Sequence, residues 1–176
     1  MAKTIGSRKN YNKHRLPFSN FMQIAIDVAE QQLEDTNGMQ EIPIGCVIVD
    51  NKTNKIVAKS CNQTIKSNNP TKHAEIICIE KALKKLKTNR LTGCSMYITL
   101  EPCAMCAMAI ALAKIERLYI GCLSEKTGAV ISNLHIFKRT ISNHCPDIYY
   151  GIMEKECKQL LKDFFKGHRK QDFQGF

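Results

Sequence analysis

Residues 94–122 read CSMYITLEPCAMCAMAIALAKIERLYIGC. Cys94–Leu100 is a short apolar run of strand character, and Pro102 then stands at the first position of a helix, where a missing N–H costs nothing. That helix ends before Glu116, and Arg117–Cys122 reads as another strand. The same alternation extends in both directions. Upstream, His73–Leu86 is a helix with Ile76, Ile79, Leu83 and Leu86 on one face, preceded by a polar loop, Asn62–Lys72. Ile44–Val49 is a continuous, β-branched apolar run, as expected of a strand covered on both faces. It turns at residues 50–54 and returns as Lys55–Cys61, a hairpin. Phe21, Ile24, Ala25, Val28, Ala29 and Leu33 recur at helical spacing, so residues 18–36 form a helix, with Ser19 as N-cap and Gly38 as stop. Downstream come a loop region at 123–146 with some helix, a short strand at Asp147–Tyr150 and a helix at 152–169 that repeats Cys157, Leu160, Leu161, Phe164 and Phe165. A hairpin followed by alternating strands and helices implies an α/β fold: a three-layer α/β/α domain around a mixed five-stranded sheet.

The bulk properties suit one soluble domain. The chain has 176 residues, 44% hydrophobic and 24% charged. No apolar run approaches the ~20 residues a membrane helix needs, and no secretory pattern opens the chain, so no membrane partner is expected and the location is cytoplasmic. Nine cysteines without such a signal favour free thiols and metal ligands. Cys46, Cys61, Cys78, Cys94, Cys122, Cys145 and Cys157 mostly sit in apolar stretches, as small core residues do. A net charge of +10 attracts polyanions. Residues 1–17 form a basic, flexible arm with Lys3, Arg8, Lys9, Lys13 and Arg15, which either binds RNA or is a plain tail. Lys155, Lys158, Lys162, Lys166, Arg169 and Lys170 add charge near the other end, and both ends can supply phosphate contacts. The folded domain is expected at 18–170, with 171–176 as a tail.

The chemistry lies in His73-Ala74-Glu75 and Glu101-Pro102-Cys103-Ala104-Met105-Cys106. His73, Cys103 and Cys106 are three zinc-type ligands, which leave the fourth tetrahedral position open to water, as in catalytic sites. Glu75 is not needed as a ligand and is placed to move protons. Cys103 and Cys106 are three apart and share a helical face. His73 and Glu75 are two apart and converge only at a helix's first turn, so both halves sit at helix N-termini, whose partial positive charge favours thiolates. Glu101 is either a helix-start acid or a residue orienting a ligand. His14, His135, His144 and His168 lack a partner at metal spacing and read as surface or RNA-facing residues.

H-x-E followed by P-C-x-x-C is the signature of zinc nucleobase deaminases. On these residues the chain resembles the tRNA adenosine deaminases of the cytidine deaminase superfamily, over about residues 18–170. Pro43-Ile44-Gly45, residues 70–76 and residues 98–103 match, as do Lys126-Thr127-Gly128-Ala129, Asn143-His144 and Phe164-Phe165. The resemblance implies a cytidine deaminase-like fold, one Zn2+ per subunit, a homodimer, and conversion of adenosine to inosine at the wobble position of the tRNA anticodon stem-loop. It implies that Asn62, eleven residues before His73, holds the flipped base, and that backbone groups at Ala74 and near Cys103 face it. It further implies RNA contacts from Lys126, Asn143, His144, Phe165 and Arg169. Ser124 stands where bacterial members carry aspartate, Ile131 replaces a common glycine, and Cys61 replaces a bulkier aromatic. Two other classes are compatible with the zinc motif: an enzyme on a free base or nucleotide, and a silent zinc-binding subunit of a heterodimer. Glu75 argues against the second.

Overall fold

The computed structural model describes residues 3–5, 18–33, 40–138 and 143–171. Its strands are β1 (Lys3–Ile5), β2 (Gly45–Asp50), β3 (Ile56–Cys61), β4 (Cys94–Leu100), β5 (Arg117–Cys122) and β6 (Asp147–Tyr150). They form one sheet in the order β1-β6-β5-β4-β2-β3. β2 runs antiparallel to β3 and β4, while β4, β5 and β6 are mutually parallel. The five expected strands are the body of the sheet. The sixth, β1, is three residues of the expected N-terminal arm, paired antiparallel with β6 at the outer edge. The arm's other residues and Gly38 lie outside the described residues.

The helices are α1 (Phe18–Glu30), α2 (Ala74–Leu86), α3 (Ala104–Leu112) and α4 (Glu154–Gln171). Strand alternation divides the core in two. Cys46, Ile48, Met96, Ile98, Leu118, Ile120 and Ile148 point to α2 and α3. Val47, Val49, Tyr97 and Tyr119 point the other way, with Met22, Ala25, Ile26 and Ala29 of α1 and Cys157 and Leu160 of α4. The parallel register sets Tyr97 beside Tyr119 and Tyr119 beside Tyr149. Their rings stack at centroid distances of 4.5 and 4.7 Å, close to the ~4.8 Å between strands. The outcome is the expected α/β/α sandwich. Gly45 is where α1 meets the sheet: a Cβ there would lie 1.8 Å from the Ala25 carbonyl oxygen, so no larger residue fits without displacing the helix.

α2 buries a different face from the one its large residues suggested. Ala74, Glu75, Ile77, Cys78, Ile79 and Ala82 are inside, Ile76 and Leu83 are half-buried, and Leu86 is exposed. The small side chains Cys78 and Ala82 let the helix approach β2 and β3 closely, and Cys78 Sγ reaches the Cys46 carbonyl at 3.6 Å. The helix stops at Lys87, which takes a left-handed conformation (φ 51°) and returns its N–H to the last turn.

Candidate active site

The site forms where β4 ends and α2 and α3 begin. His73 and Cys103 are the N-caps of α2 and α3, both with extended backbone (ψ 154° and 176°). An N-cap side chain leaves the helix at its mouth, while the first-turn residues Glu75 and Cys106 face the same space. Spacings of two and three residues therefore converge, as expected for helix starts. His73 Nδ1 lies 3.7 Å from Cys103 Sγ and 3.5 Å from Cys106 Sγ. All three donor atoms fall within 4.8 Å of one another. A tetrahedral zinc with Zn–S ~2.3 Å and Zn–N ~2.0 Å requires N···S edges of about 3.6 Å. The donor set and its spacing thus fit zinc.

Glu75 is buried at 4% exposure beside this cluster and hydrogen-bonds Cys106. Burial pushes its carboxyl up to about 7, with the nearby Cys103 adding to the rise. The Cys103 thiol is pulled down to about 4 by hydrogen bonds from Cys106 and His73, which outweigh its burial. Cys106 moves upward because it donates to Cys103 and is buried. His73 is raised by its hydrogen bond to Cys103. One thiolate forms readily in this group, and a divalent cation would take the second thiol as thiolate too.

Asn62, just past β3, is 3% exposed, and its Oδ1 accepts the Ala74 N–H at 2.9 Å. This bond satisfies the first N–H of α2, which His73 does not cap. With the oxygen so engaged, what the Asn62 side chain has left to offer is its amide nitrogen, a donor only. The Ala74 N–H is thus committed to Asn62.

Residues 18–122 match the family described as the cytidine and deoxycytidylate deaminase zinc-binding region. The chain is 44% identical over 138 residues to the tRNA-specific adenosine deaminase of Rickettsia bellii, covering 78% of this chain and 95% of that one. It is 40% identical over 154 residues to the tRNA-specific adenosine deaminase of Agrobacterium fabrum, covering 88% and 97%. The chain belongs to the tRNA-specific adenosine deaminase family. A solved structure from work on A-to-I editing by tRNA:A34 deaminases superposes on this deaminase with a TM-score of 0.76 at 40% identity, covering 81% of this chain and 99% of that one.

Glu101 has neither role that its position suggested. It is 3% exposed, and its carboxylate anchors the loop after β5. Oε1 accepts the successive N–H groups of Val130 (3.1 Å), Ile131 (2.7 Å) and Ser132 (2.9 Å). Oε2 accepts Ser124 N–H at 3.0 Å and the Ser132 hydroxyl. Ala129 N–H bonds the Pro102 carbonyl at 2.9 Å, so the loop lies across the two residues before Cys103. A Cβ on Gly128 would sit 2.3 Å from Glu101 Oε2, so this glycine is required by the close approach. The partners stand 23 to 31 residues after Glu101, which is why no local pattern disclosed the role. Burial opposes the Glu101 charge, but the Ser132, Ile131 and Ser124 hydrogen bonds together hold its carboxyl below the ordinary range.

Glu101→Gln sets an amide donor against those donors and is expected to cost about 2 kcal/mol of stability in urea denaturation. Because the folded-state pKa is depressed, the carboxylate's contribution is complete above its unfolded value near 4.5 and is lost as pH falls through the lower folded one. The stability gap between wild type and variant should therefore hold from pH 7 to 5 and close below pH 4.

The deaminase places the remaining expected contacts unevenly. Lys126 is exposed on the Glu101-anchored loop, at the site's end of the sheet. Asn143 and His144 lie at the other end, beside the start of β5. His144 Nε2 bonds the Ile115 carbonyl at 2.6 Å, and the Asn143 carbonyl accepts Lys114 Nζ at 3.4 Å. A six-residue strand, roughly 20 Å, separates them from Cys103. Phe165 is 47% exposed on α4, on the opposite sheet face from α2 and α3, with Phe164 buried edge-on beneath it. Arg169 lies in α4, and its side chain is outside the described residues.

Proposed function

We propose that this protein hydrolyses adenosine to inosine and ammonia at the wobble position of a tRNA anticodon. The observation that carries the reading is a histidine–thiol–thiol cluster at zinc spacing with a buried, proton-competent Glu75 beside it. The comparisons with tRNA-specific adenosine deaminases support adenosine in tRNA as the substrate. His73 Nδ1, Cys103 Sγ and Cys106 Sγ would hold one zinc ion per subunit, which would supply a water activated near neutral pH.

Glu75 takes one proton from the attacking water and delivers it to adenine N1, then carries the second, from the new C6 hydroxyl, to the amino group, which leaves as ammonia. A carboxyl held at about 7 can both accept and donate at neutral pH. Asn62 offers its amide N–H to an acceptor on the base edge, since its oxygen is held by Ala74. Burial at the helix mouths excludes bulk water, so the base must leave its stack to reach C6. Lys126 at the rim, with Phe165 and Arg169 of α4, supplies RNA contacts in this reading.

The protein acts as a homodimer. α3 contains only apolar residues, yet Leu112 is 72% exposed and Met105 37% exposed on its outer side. A helix apolar all round needs a cover on both sides, and a second copy around a two-fold axis supplies it. Sedimentation equilibrium should return twice the 19.9 kDa chain mass. The substrate places the enzyme in the cytoplasm; among the described residues no helix is long and apolar enough to cross a membrane.

The deciding experiment incubates zinc-loaded protein with tRNA, free adenosine, cytidine and guanine. Inosine at the first anticodon position, with the small substrates unchanged, is expected. Turnover of a free base or nucleoside without inosine in tRNA would replace this reading with the small-molecule one.

A further inference from the structure

Most of the chain's excess positive charge lies in neither terminus. Residues 51–90 hold ten lysines and arginines against two acids. One acid, Glu75, is buried in the active site, and the other, Glu80, pairs with Lys72 at 2.8 Å. The fold gathers these cations on one surface. β3 is the outer strand beyond β2, and α2 packs over it. Lys81 Nζ reaches the Lys59 carbonyl at 3.4 Å, and Lys85 Nζ the Ile56 carbonyl at 3.3 Å, so the helix lysines adjoin those of the strand. Lys55, Lys59, Lys81, Lys84, Lys85, Lys87 and Arg90 are exposed. Lys66 and Lys72 stand on the loop between Asn62 and His73, beside the active site, and α2 adds Lys81, Lys84 and Lys85 in its C-terminal half, with the Lys72–Glu80 pair between the two groups.

Two structural roles explain part of this pattern. Lysines on an edge strand discourage edge-to-edge pairing, and cations in a helix's last turn suit its dipole. The dipole role reaches Lys84 in the last turn and Lys87 at the C-cap, but neither role reaches Arg90 or requires all three to stay unpaired. They form no ion pair among the described residues and bond no strand edge.

We propose that this face of α2 and β3 is a second RNA-binding surface, gripping the backbone phosphates of the tRNA stem while the flipped adenosine occupies the Glu75 site. It rests on the reading of tRNA as substrate. Charge complementarity selects the occupant: a surface on which cations far outnumber acids, reaching from beside the site that receives the anticodon over about the length of several base pairs. Its contacts are sequence-independent, so they set affinity and orientation rather than base choice.

The test is the triple variant Lys84→Gln/Lys87→Gln/Arg90→Gln, which leaves Lys81 and Lys85 on the strand edge, assayed as the zinc-loaded enzyme. The expected result is a KM for tRNA raised about tenfold with kcat and melting temperature unchanged. The slope of log kcat/KM against log salt should become shallower by about 2 to 3, near 0.9 per lost phosphate contact. The charge-retaining variant Lys84→Arg/Lys87→Arg/Arg90→Lys should restore both. An unchanged KM and salt slope would overturn the proposal, as would a loss confined to stability. Direct filter binding of tRNA separates the two readings. Lysine-dependent binding by a wild type that forms no inosine would uphold this surface while refuting the proposed reaction.

Discussion

Glu75→Ala is expected to reduce inosine formation about 10⁴-fold while leaving the zinc content and the fold intact. General acid–base catalysis contributes up to about that factor, equivalent to ~5.5 kcal/mol of barrier, and among the described residues Glu75 is the carboxyl that lies against the cluster. Glu101, the carboxylate just before Cys103, spends its acceptors on the 124–132 loop. Stability should not fall, because burial already disfavours the Glu75 charge and its removal relieves that cost. Glu75→Gln, which keeps shape but cannot take the proton, should be equally inactive. The measurements are single-turnover inosine formation, zinc by atomic absorption and thermal unfolding. Turnover within about tenfold of wild type in either variant would remove Glu75 from the mechanism.

Cys103→Ala is expected to lose both the metal and the activity, and to weaken the fold with them. Two of three protein donors remain, and the fourth position is water's, so affinity falls by many orders. Metal that binds only the folded state contributes RT ln(1 + [Zn]/Kd), about 4 kcal/mol at a thousandfold excess over Kd. The wild type should therefore melt lower after treatment with a strong chelator, and the variant should show the lower value with or without it. The expected stability change follows from local architecture: Cys103 and His73 are helix caps, so a bound ion would tie the first turns of α2 and α3 together. Stoichiometric zinc in purified Cys103→Ala would contradict this ligand assignment.

These two outcomes concern residues that were legible before any coordinates. His73, Glu75, Cys103 and Cys106 stand in two short motifs, and helix-start spacing alone indicates that both would open onto one point. The same holds for the five main strands, because an apolar run such as Ile44–Val49 can be covered only on both faces. Less local properties were misread. The face α2 buries depends on which side chains are small enough to let it approach β2, not on which are most apolar. The resemblance implies RNA contacts at Asn143 and His144, and no short motif discloses that parallel β5 and β6 set them at the other end of the sheet from Cys103.

The sequence by itself determined the chemistry: a three-donor metal site, a separate proton carrier and the alternating α/β order that brings them to the strand ends. Short motifs suffice for this because ligand identity and helix capping are properties of residues a few positions apart. Only the tertiary structure decided that Glu101 pins a loop 23 residues away, that Asn62 turns its oxygen inward to Ala74, and that the lysines of β3 and α2 make one surface. Each is a contact between segments distant along the chain. Such contacts exist only once the sheet's order and register have set which segments meet.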